Sequence, residues 1–203
     1  MKTTQCVRKG LLTGLMAIFL GLMLAPASVQ AQEEDESEAP VVMTEYSDYQ
    51  CPACAYFHPI VQKLKEEFGE QLHINYKYFP LNSHQYAALS ARAAQAARNQ
   101  DKFMEMHNKL FEGQQRWSSS PNPQPIFMSY AREIGLDMAQ FRNDLNAAET
   151  QRIVMEEKRE GQNMGVNATP TFIINGTMLE TPPSTFEEFR KVIQGYLDEV
   201  QSQ

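Results

Sequence analysis

The chain alternates between two hydrophobic spacings, one typical of strands and one typical of helices. Short apolar or alternating runs predict strands at residues 41–44, 72–79, 171–174 and 177–179. Between them, apolar residues recur three and four positions apart, which predicts amphipathic helices. We place these helices at residues 52–68, 83–99, 101–111, 126–134, 138–145 and 149–164, with a last helix beyond residue 184.

Turn and cap residues mark where several of these elements end. Asn175-Gly176 between two apolar runs is a strong β-hairpin signal. Three prolines within residues 118–125 predict a loop. Asp137 is a predicted N-cap. Ser184 with Glu187 three residues later predicts a capping box at the start of the last helix.

Residues 1–31 carry a three-part export pattern. Three basic residues precede the apolar run Leu11–Leu24, and small residues at Ala27 and Ala31 offer cleavage positions. We therefore expect a cleaved signal peptide at residues 1–31 and a mature protein in the periplasm or another extracytoplasmic space. The apolar run is short for a membrane span, and an uncleaved N-terminal membrane anchor is the alternative.

The charge balance excludes some classes of partner. Eighteen basic and 25 acidic residues give a net charge of −7. Loss of the three basic residues in the signal would leave 15 against 25, a net charge of −10. Residues 32–40 hold five of the acidic side chains and predict a disordered acidic tether. A protein of this kind is a poor candidate for binding nucleic acid or anionic lipid.

Cys51 and Cys54 stand between the first predicted strand and the first predicted helix. Free backbone N–H groups and the positive end of the helix dipole favour a thiolate at Cys51, and Pro52 fits the first helical turn. This position predicts an exposed nucleophilic sulfur with a low pKa. A zinc site would need a second ligand pair, and the remaining cysteine, Cys6, lies in the predicted signal peptide. A structural disulfide closing so short a loop would stabilise little, so redox chemistry is the favoured interpretation.

The stretch from the first strand through Cys51-Pro52-Ala53-Cys54 resembles the active site of thioredoxin-fold disulfide oxidoreductases. A second motif, Gly165–Phe172, resembles the loop in which that family carries a cis-proline, with Thr169-Pro170 at the matching position. The long separation between the motifs resembles the DsbA type. The resemblance spans residues 41–200. It implies an α/β thioredoxin fold, a central mixed β-sheet flanked by helices, with an inserted all-helical subdomain at about residues 82–148.

The resemblance also implies roles for the residues of both motifs. Cys51 would attack a substrate sulfur or be attacked by one, and Cys54 would resolve the mixed disulfide. A cis-proline would let the backbone before it pair with an extended substrate chain. No metal or organic cofactor is required. The implied site consists of catalytic Cys51 and Cys54 and of substrate-binding Thr169, Pro170, Pro52 and Ala53.

Glu45 lies six residues before Cys51, where many relatives carry a buried acid that helps proton transfer at the second cysteine. Strand alternation puts Glu45 on the face shared with Met43 and Val41. An unpaired carboxyl there would have a raised pKa, which suits a proton relay. The alternative is a solvated acid at a strand end. His58, one helical turn beyond the cysteines, is interpreted as structural.

Two departures from the best-known DsbA-type oxidases affect the expected direction of the reaction. Those oxidases have Pro-His between the cysteines and Val before the cis-proline, whereas this chain has Pro52-Ala53 and Thr169. We expect a monomeric oxidase acting on secreted cysteine-containing proteins, with a membrane redox partner that reoxidises or reduces the pair. A reductase or isomerase of the same fold is the first alternative. A non-enzymatic peptide-binding or chaperone protein is the second.

Overall fold

The computed structural model describes residues 40–202. The predicted signal peptide at residues 1–31 and residues 32–39 of the predicted tether lie outside this range. Within the described part, no helix is both long enough and apolar enough to cross a membrane.

Four strands form one mixed sheet: β1 Val41–Ser47, β2 Leu72–Tyr78, β3 Thr171–Ile174 and β4 Thr177–Met178. Their spatial order is β2-β1-β3-β4. β1 runs parallel to β2 and antiparallel to β3, while β3 and β4 form an antiparallel hairpin. The hairpin turns at Asn175-Gly176, where both residues have positive φ, as the Asn-Gly signal predicts.

The helices of the described part follow the predicted order. A short 3₁₀ turn, Gly69–Gln71, joins the first helix to β2. The helices are α1 Pro52–Phe68, α2 Ala87–Arg98, α3 Phe103–Glu112, α4 Gln114–Ser118, α5 Gln124–Glu133, α6 Met138–Asn146, α7 Ala148–Asn163 and α8 Phe186–Gln201.

The sheet is covered on both faces. α1 and α8 pack on one face, where Leu64 and Ile193 join a core with Met43 of β1. The other face packs against α7, and Tyr46 of β1 lies there. Period-two alternation along β1 therefore sends Met43 and Tyr46 to opposite sides. The predicted α/β class, a mixed sheet flanked by helices, is confirmed.

Helices α2 to α6 follow β2 and precede α7 in the sequence. Their buried side chains form a second apolar cluster. Small alanines of α2 let its neighbours approach closely, and larger side chains from the other helices fill the cluster. Helix α2 contacts α3, α5, α6 and α7. The fully buried large residues of this cluster are Met106, Leu110, Trp117, Phe127 and Phe141.

The prediction that Ser184 caps the last helix was wrong by one residue. Thr185 is the N-cap, with extended backbone and a side chain that accepts a hydrogen bond from the Glu188 N–H. The Glu188 carboxylate accepts in return from the Thr185 N–H. Both Ser184-x-x-Glu187 and Thr185-x-x-Glu188 satisfy the capping-box pattern, so the pattern by itself left the register open.

One helix begins later than the sequence pattern predicts, and one helix has no counterpart in that pattern. Helix α2 begins at Ala87 and not at Ser83, because the residues before it bind to the segment ahead of Cys51: the Tyr86 N–H donates to the Gln50 side chain at 2.6 Å. Helix α4 was not predicted. It is five residues long and is held by Trp117, whose indole N–H donates to the Leu110 carbonyl at 2.7 Å.

Candidate active site

Cys51 is the N-cap of α1 and has extended backbone. The pKa of its thiol is lowered to about 5, chiefly by the hydrogen bond that the Cys54 thiol offers to its sulfur. The backbone N–H groups of Ala53 and Cys54, in the first turn of α1, lower it further. These N–H groups have no partner within the helix, so they are free to stabilise a thiolate. The lowered pKa of Cys51 agrees with the low pKa that its position at the helix N-terminus predicts.

Cys51 is less exposed than the sequence suggested. Only 7% of its surface is accessible, because the chain folds over it from two sides. Its sulfur lies 3.4 Å from the Thr169 carbonyl oxygen. The Gln114 side chain, on α4, donates to the Cys51 carbonyl at 2.9 Å. Pro52 and Ala53, which follow Cys51 directly, are by contrast exposed.

The Thr169–Pro170 peptide bond is cis, as the resemblance implied. The loop that carries it follows α7 and leads into β3, which pairs with β1. The Thr169 hydroxyl is buried and has no hydrogen-bond partner of ordinary geometry in the described part. It nevertheless lies close enough to Cys51 to lower the pKa of that thiol.

Cys54 has the opposite environment. Its side chain is fully buried, and burial raises its pKa well above the usual thiol value, with the neighbouring Cys51 sulfur adding to the effect. The Asp48 backbone N–H points at its sulfur from 3.5 Å. Both cysteines are present as free thiols. The site therefore holds one acidic thiol near the surface and one weakly acidic thiol beneath it.

Glu45 lies on the buried face of β1, as strand alternation predicted. It is 1% exposed, and its Oε1 has no hydrogen-bond partner in the described part. Burial raises its pKa to about 7. Ser47, two residues on and on the same face, lowers the pKa of both Glu45 and Cys54. The Ser47 hydroxyl makes no hydrogen bond of ordinary geometry in the described part, but it lies near both the carboxyl and the buried thiol.

Asp48 anchors the turn between β1 and α1. Its carboxylate, which is buried, accepts hydrogen bonds from the Leu81 N–H at 2.9 Å and bonds His84 Nδ1 at 2.7 Å. Its backbone carbonyl accepts from the Cys51 N–H at 3.0 Å, and its N–H faces Cys54 as described above. One residue thus ties both cysteines to the segment that follows β2. Sequence reasoning missed Asp48, because an acid in a turn is ordinary without its partners.

His58 and His107 form a buried aromatic cluster behind the cysteines. Their ring centroids are 5.0 Å apart, and the Tyr49 hydroxyl hydrogen-bonds His107 Nδ1 at 2.9 Å. Burial lowers the pKa of His58 to about 4 and that of His107 well below its usual range. Both rings are therefore neutral at neutral pH, which fits the structural interpretation of His58.

The arrangement is suited to thiol–disulfide exchange. An acidic thiol is both a ready nucleophile and a good leaving group, and a second thiol within reach can release a mixed disulfide. Within residues 40–202, no three histidine, cysteine or acidic side chains cluster as metal ligands would. The residues that the sequence brought together as one site, the two cysteines and the Thr169-Pro170 loop, are in contact in the fold.

A family model described as Thioredoxin matches residues 36–195. The chain is 34% identical over 152 residues to a protein named Na(+)/H(+) antiporter NhaA 1 from Mycobacterium sp. strain KMS. That match covers 72% of this chain and 24% of the antiporter, so the chain spans about a quarter of the length of the curated relatives that it matches most strongly.

Solved structures share the fold over most of their length. A thioredoxin-like oxidoreductase from Silicibacter pomeroyi DSS-3 has a TM-score of 0.65 at 27% identity, over 82% of this chain and 89% of that one. The alpha-DsbA1 protein of Wolbachia pipientis has a TM-score of 0.71 at 19% identity, over 81% and 89%. The family match, together with these superpositions, shows that the chain belongs to the thioredoxin family and has the DsbA-like form of its fold.

Proposed function

We propose that the chain is a protein thiol:disulfide oxidoreductase that forms disulfides in secreted proteins outside the cytoplasm. The observation that carries this proposal is the opposite acidity of Cys51 and Cys54, placed side by side against the Thr169-Pro170 loop. Structural thiols in a protein core have no reason to differ in this way, whereas an exchange enzyme needs one sulfur of each kind.

In the oxidase direction, a substrate thiolate attacks the Cys51 sulfur of the oxidised pair. The Cys51–Cys54 bond breaks, a mixed disulfide forms, and Cys54 leaves with the electron pair. A second substrate thiolate then attacks the substrate sulfur of the mixed disulfide and releases Cys51 as a thiolate. The low pKa of Cys51 favours this release, because a more acidic thiol is a better leaving group.

Cys54 needs a proton when it leaves, because its raised pKa disfavours a buried thiolate. Glu45, with a pKa near neutrality, can hold that proton and give it up at the pH of the reaction. Ser47 stands near both groups and can carry the proton between them. We assign Glu45 the role of proton donor and acceptor for Cys54, and Ser47 the role of relay.

Substrate binding is assigned to the surface around Cys51. The Thr169 backbone would pair with an extended substrate segment, and Pro170, Pro52 and Ala53 would contact its side chains. Export by the predicted signal peptide would bring the protein to cysteine-containing secreted substrates. A membrane redox partner would reoxidise Cys51 and Cys54 after each turnover. We expect the protein to act as a monomer.

Reduction or isomerisation of disulfides is the second candidate. Ala53 supports it, because it offers no ring or charge to stabilise the neighbouring thiolate, and Thr169 supports it because it replaces the valine of typical oxidases. The equilibrium of the pair with glutathione distinguishes the two. A reduction potential of about −120 mV supports the oxidase, and one of about −270 mV supports the reductase.

A further inference from the structure

A cavity of about 440 Å³ lies beside the loop that leads to Thr169. Its walls come from the segment after β2, from the end of α7 and from the start of the loop itself. Of the residues that line it, Lys158 alone carries a charge. The polar lining is completed by Asn82, Gln162 and Asn167.

Lys158 is a buried cation without a buried anion. It is 7% exposed, and its ammonium donates to the Pro80 carbonyl and to Asn82 Oδ1, both at 2.7 Å. Residues 40–202 place no carboxylate within 4.0 Å of it. An ammonium has three donors, so one remains after these two bonds.

Nearby acids on the same helix are engaged elsewhere. Glu157 pairs with Lys77 and Arg98, and Glu160 pairs with Lys77. Besides the two oxygens, the Lys158 ammonium lies 5.9 Å from the centroid of the Phe79 ring, a contact that stabilises a cation modestly. A buried charge that meets only neutral groups is still costly to keep. A neutral donor could hold the Pro80 and Asn82 oxygens at lower cost. The charge of Lys158 is therefore suited to a negatively charged group that enters the cavity.

Two short links connect the lining of the cavity to the redox pair. Asn167 on its wall precedes Thr169 by two residues, and two residues span at most about 7 Å. The Thr169 carbonyl in turn lies 3.4 Å from the Cys51 sulfur. Leu81, which also lines the cavity, donates its N–H to the Asp48 carboxylate, and the Asp48 carbonyl accepts from the Cys51 N–H. A substrate chain that pairs with Thr169 would thus pass the cavity two or three residues from its reacting cysteine.

We propose that this cavity binds a carboxylate of the substrate, supplied by an acidic residue two or three positions from the reacting cysteine. The proposal rests on the function proposed above and adds a preference for substrates with an acidic residue near the reacting cysteine. Lys158 supplies the charge, and the amides of Asn82, Gln162 and Asn167 surround it. Glutathione, a small thiol with two carboxylates, is the other source of the same chemistry.

The test uses oxidised wild-type protein and single-cysteine peptides that carry either Glu or Gln at positions −3, −2, +2 or +3 from the cysteine. Two peptides reduce one protein disulfide and leave as a peptide disulfide, so the rate of protein reduction is the readout. At one or more positions we expect Glu to react about tenfold faster than Gln, as for a charge-assisted hydrogen bond. The Glu/Gln rate ratio should fall to about one in Lys158→Met.

Gln162 is an exposed residue on the cavity wall. Variants at this position provide a second test that remains available if Lys158→Met fails to fold. Gln162→Glu should lower the Glu/Gln ratio and Gln162→Lys should raise it. The control is Lys191→Met, which removes an exposed lysine of α8 outside the cavity and should leave the ratio unchanged.

The outcomes separate the inference from the function. The carboxylate site is overturned if all peptides reduce the protein and the Glu/Gln rate ratio is about one. It is also overturned if that ratio is the same in the Gln162 and Lys158 variants as in wild type. In both cases the proposed oxidoreductase function stands. If no peptide reduces the protein, the proposed function itself fails. A Lys158-dependent preference for glutathione over its diamide, absent with peptides, would overturn the polypeptide source and support the small thiol.

Discussion

At the scale of single residues, Cys51 and Cys54 lie only three positions apart, and yet their surroundings shift the pKa values of the two thiols in opposite directions. The hydrogen bond from Cys54 and the free N–H groups of a helix end lower the pKa of Cys51, whereas burial one turn further along the helix raises that of Cys54. Ser47 on β1 lies near both Glu45 and the inner thiol and lowers the pKa of each. The proposed route for the proton that Cys54 gains or loses runs through the Ser47 and Glu45 side chains.

Glu45→Gln should slow the step in which Cys54 resolves the mixed disulfide by about 100-fold, because the amide cannot accept a proton. Ser47→Ala should slow the same step by about tenfold, since the relay hydroxyl is lost. Stopped-flow exchange with a model peptide measures this step. The pKa of Cys51, followed by thiolate absorbance, is the internal control and should barely change. Unchanged resolution rates in both variants would make Glu45 and Ser47 structural only.

These residues differ in how well the sequence revealed them. Glu45 could be predicted, because a carboxyl in the alternating apolar pattern of a strand stands out. Ser47 could not, since serine at a strand end is common and its meaning depends on where Cys54 lies. The roles of Asp48 and Gln114 could not be predicted for the same reason. Their hydrogen bonds join segments that are distant in the chain, and residue type alone does not show such partners.

At the scale of secondary structure, the contact between α7 and β1 sets how the helix lies under the sheet. Gly161 of α7 lets Tyr46 approach: a Cβ on Gly161 would sit 2.8 Å from Tyr46 Cε1, and the Tyr46 ring is fully buried. Real Cβ atoms do not come so close, so the helix or the ring would have to move.

Gly161→Ala should lower the free energy of unfolding by about 2 kcal/mol through this overpacking. Gly195→Ala is the matched control, since Gly195 lies in α8 with nothing within 4 Å of its Cβ position. It should raise stability by about 0.5–1 kcal/mol, the usual effect of replacing a helical glycine. Urea denaturation of the two variants measures both changes. A Gly161→Ala protein as stable as wild type would mean that α7 has room to shift.

Most of these elements could be predicted, because strand and helix periodicity are local properties. The exceptions have specific causes. Helix α4 is too short for a periodic signal, and it owes its place to the buried Trp117. The start of α8 was misplaced because Ser184 and Thr185 offer equivalent capping boxes. The start of α2 was misplaced because tertiary hydrogen bonds to the segment before Cys51 compete with the helix for its first residues.

At the scale of the whole molecule, the redox state and the stability of the fold are linked through Cys51. Its pKa is about 5 in the folded dithiol form and near 9.0 when unperturbed. Between these values the unfolded chain holds a proton that the folded chain has released, so folding of the reduced form gains stability as pH rises. This contribution is full above the unfolded pKa and is lost as pH falls through the folded pKa. The oxidised form has no thiol to titrate.

We therefore expect the stability of the reduced form relative to the oxidised form to increase from pH 5 to pH 8. Burial also shifts the pKa of Glu45, His58 and His107, and both forms contain these groups, whereas only the reduced form contains the two thiols. Burial raises the pKa of Cys54 above the usual thiol value, so Cys51 dominates the difference over this pH range. Chemical denaturation of both forms across this range gives the difference directly. Parallel pH curves for the two forms would contradict the lowered pKa of Cys51.

The global arrangement was accessible from the sequence only in part. Nothing local in Thr169-Pro170 shows that it meets Cys51, 118 positions earlier. The antiparallel pairing of β1 with β3 brings them together, and the expectation came from resemblance to a family. The Lys158 cavity had no such precedent. It arises where residues 79–82 meet residues 158–167, two segments that are distant in the chain. A single lysine in a helical pattern looks like an ordinary surface residue.

The central claim is that Cys51 is the nucleophile and Cys54 the resolving thiol of an exchange enzyme, and trapping of covalent complexes tests it most directly. Cys54→Ala protein, expressed with residues 1–31, should accumulate mixed disulfides with secreted proteins. The Cys51 thiolate can attack a substrate disulfide and displace one of its sulfurs, and no internal thiol remains to release the adduct. Cys51→Ala should trap almost none, because Cys54 is buried and weakly acidic. Non-reducing gels and mass spectrometry of the shifted bands give the answer. Equal trapping by both variants would contradict the assigned roles, and no trapping by either would contradict the enzyme.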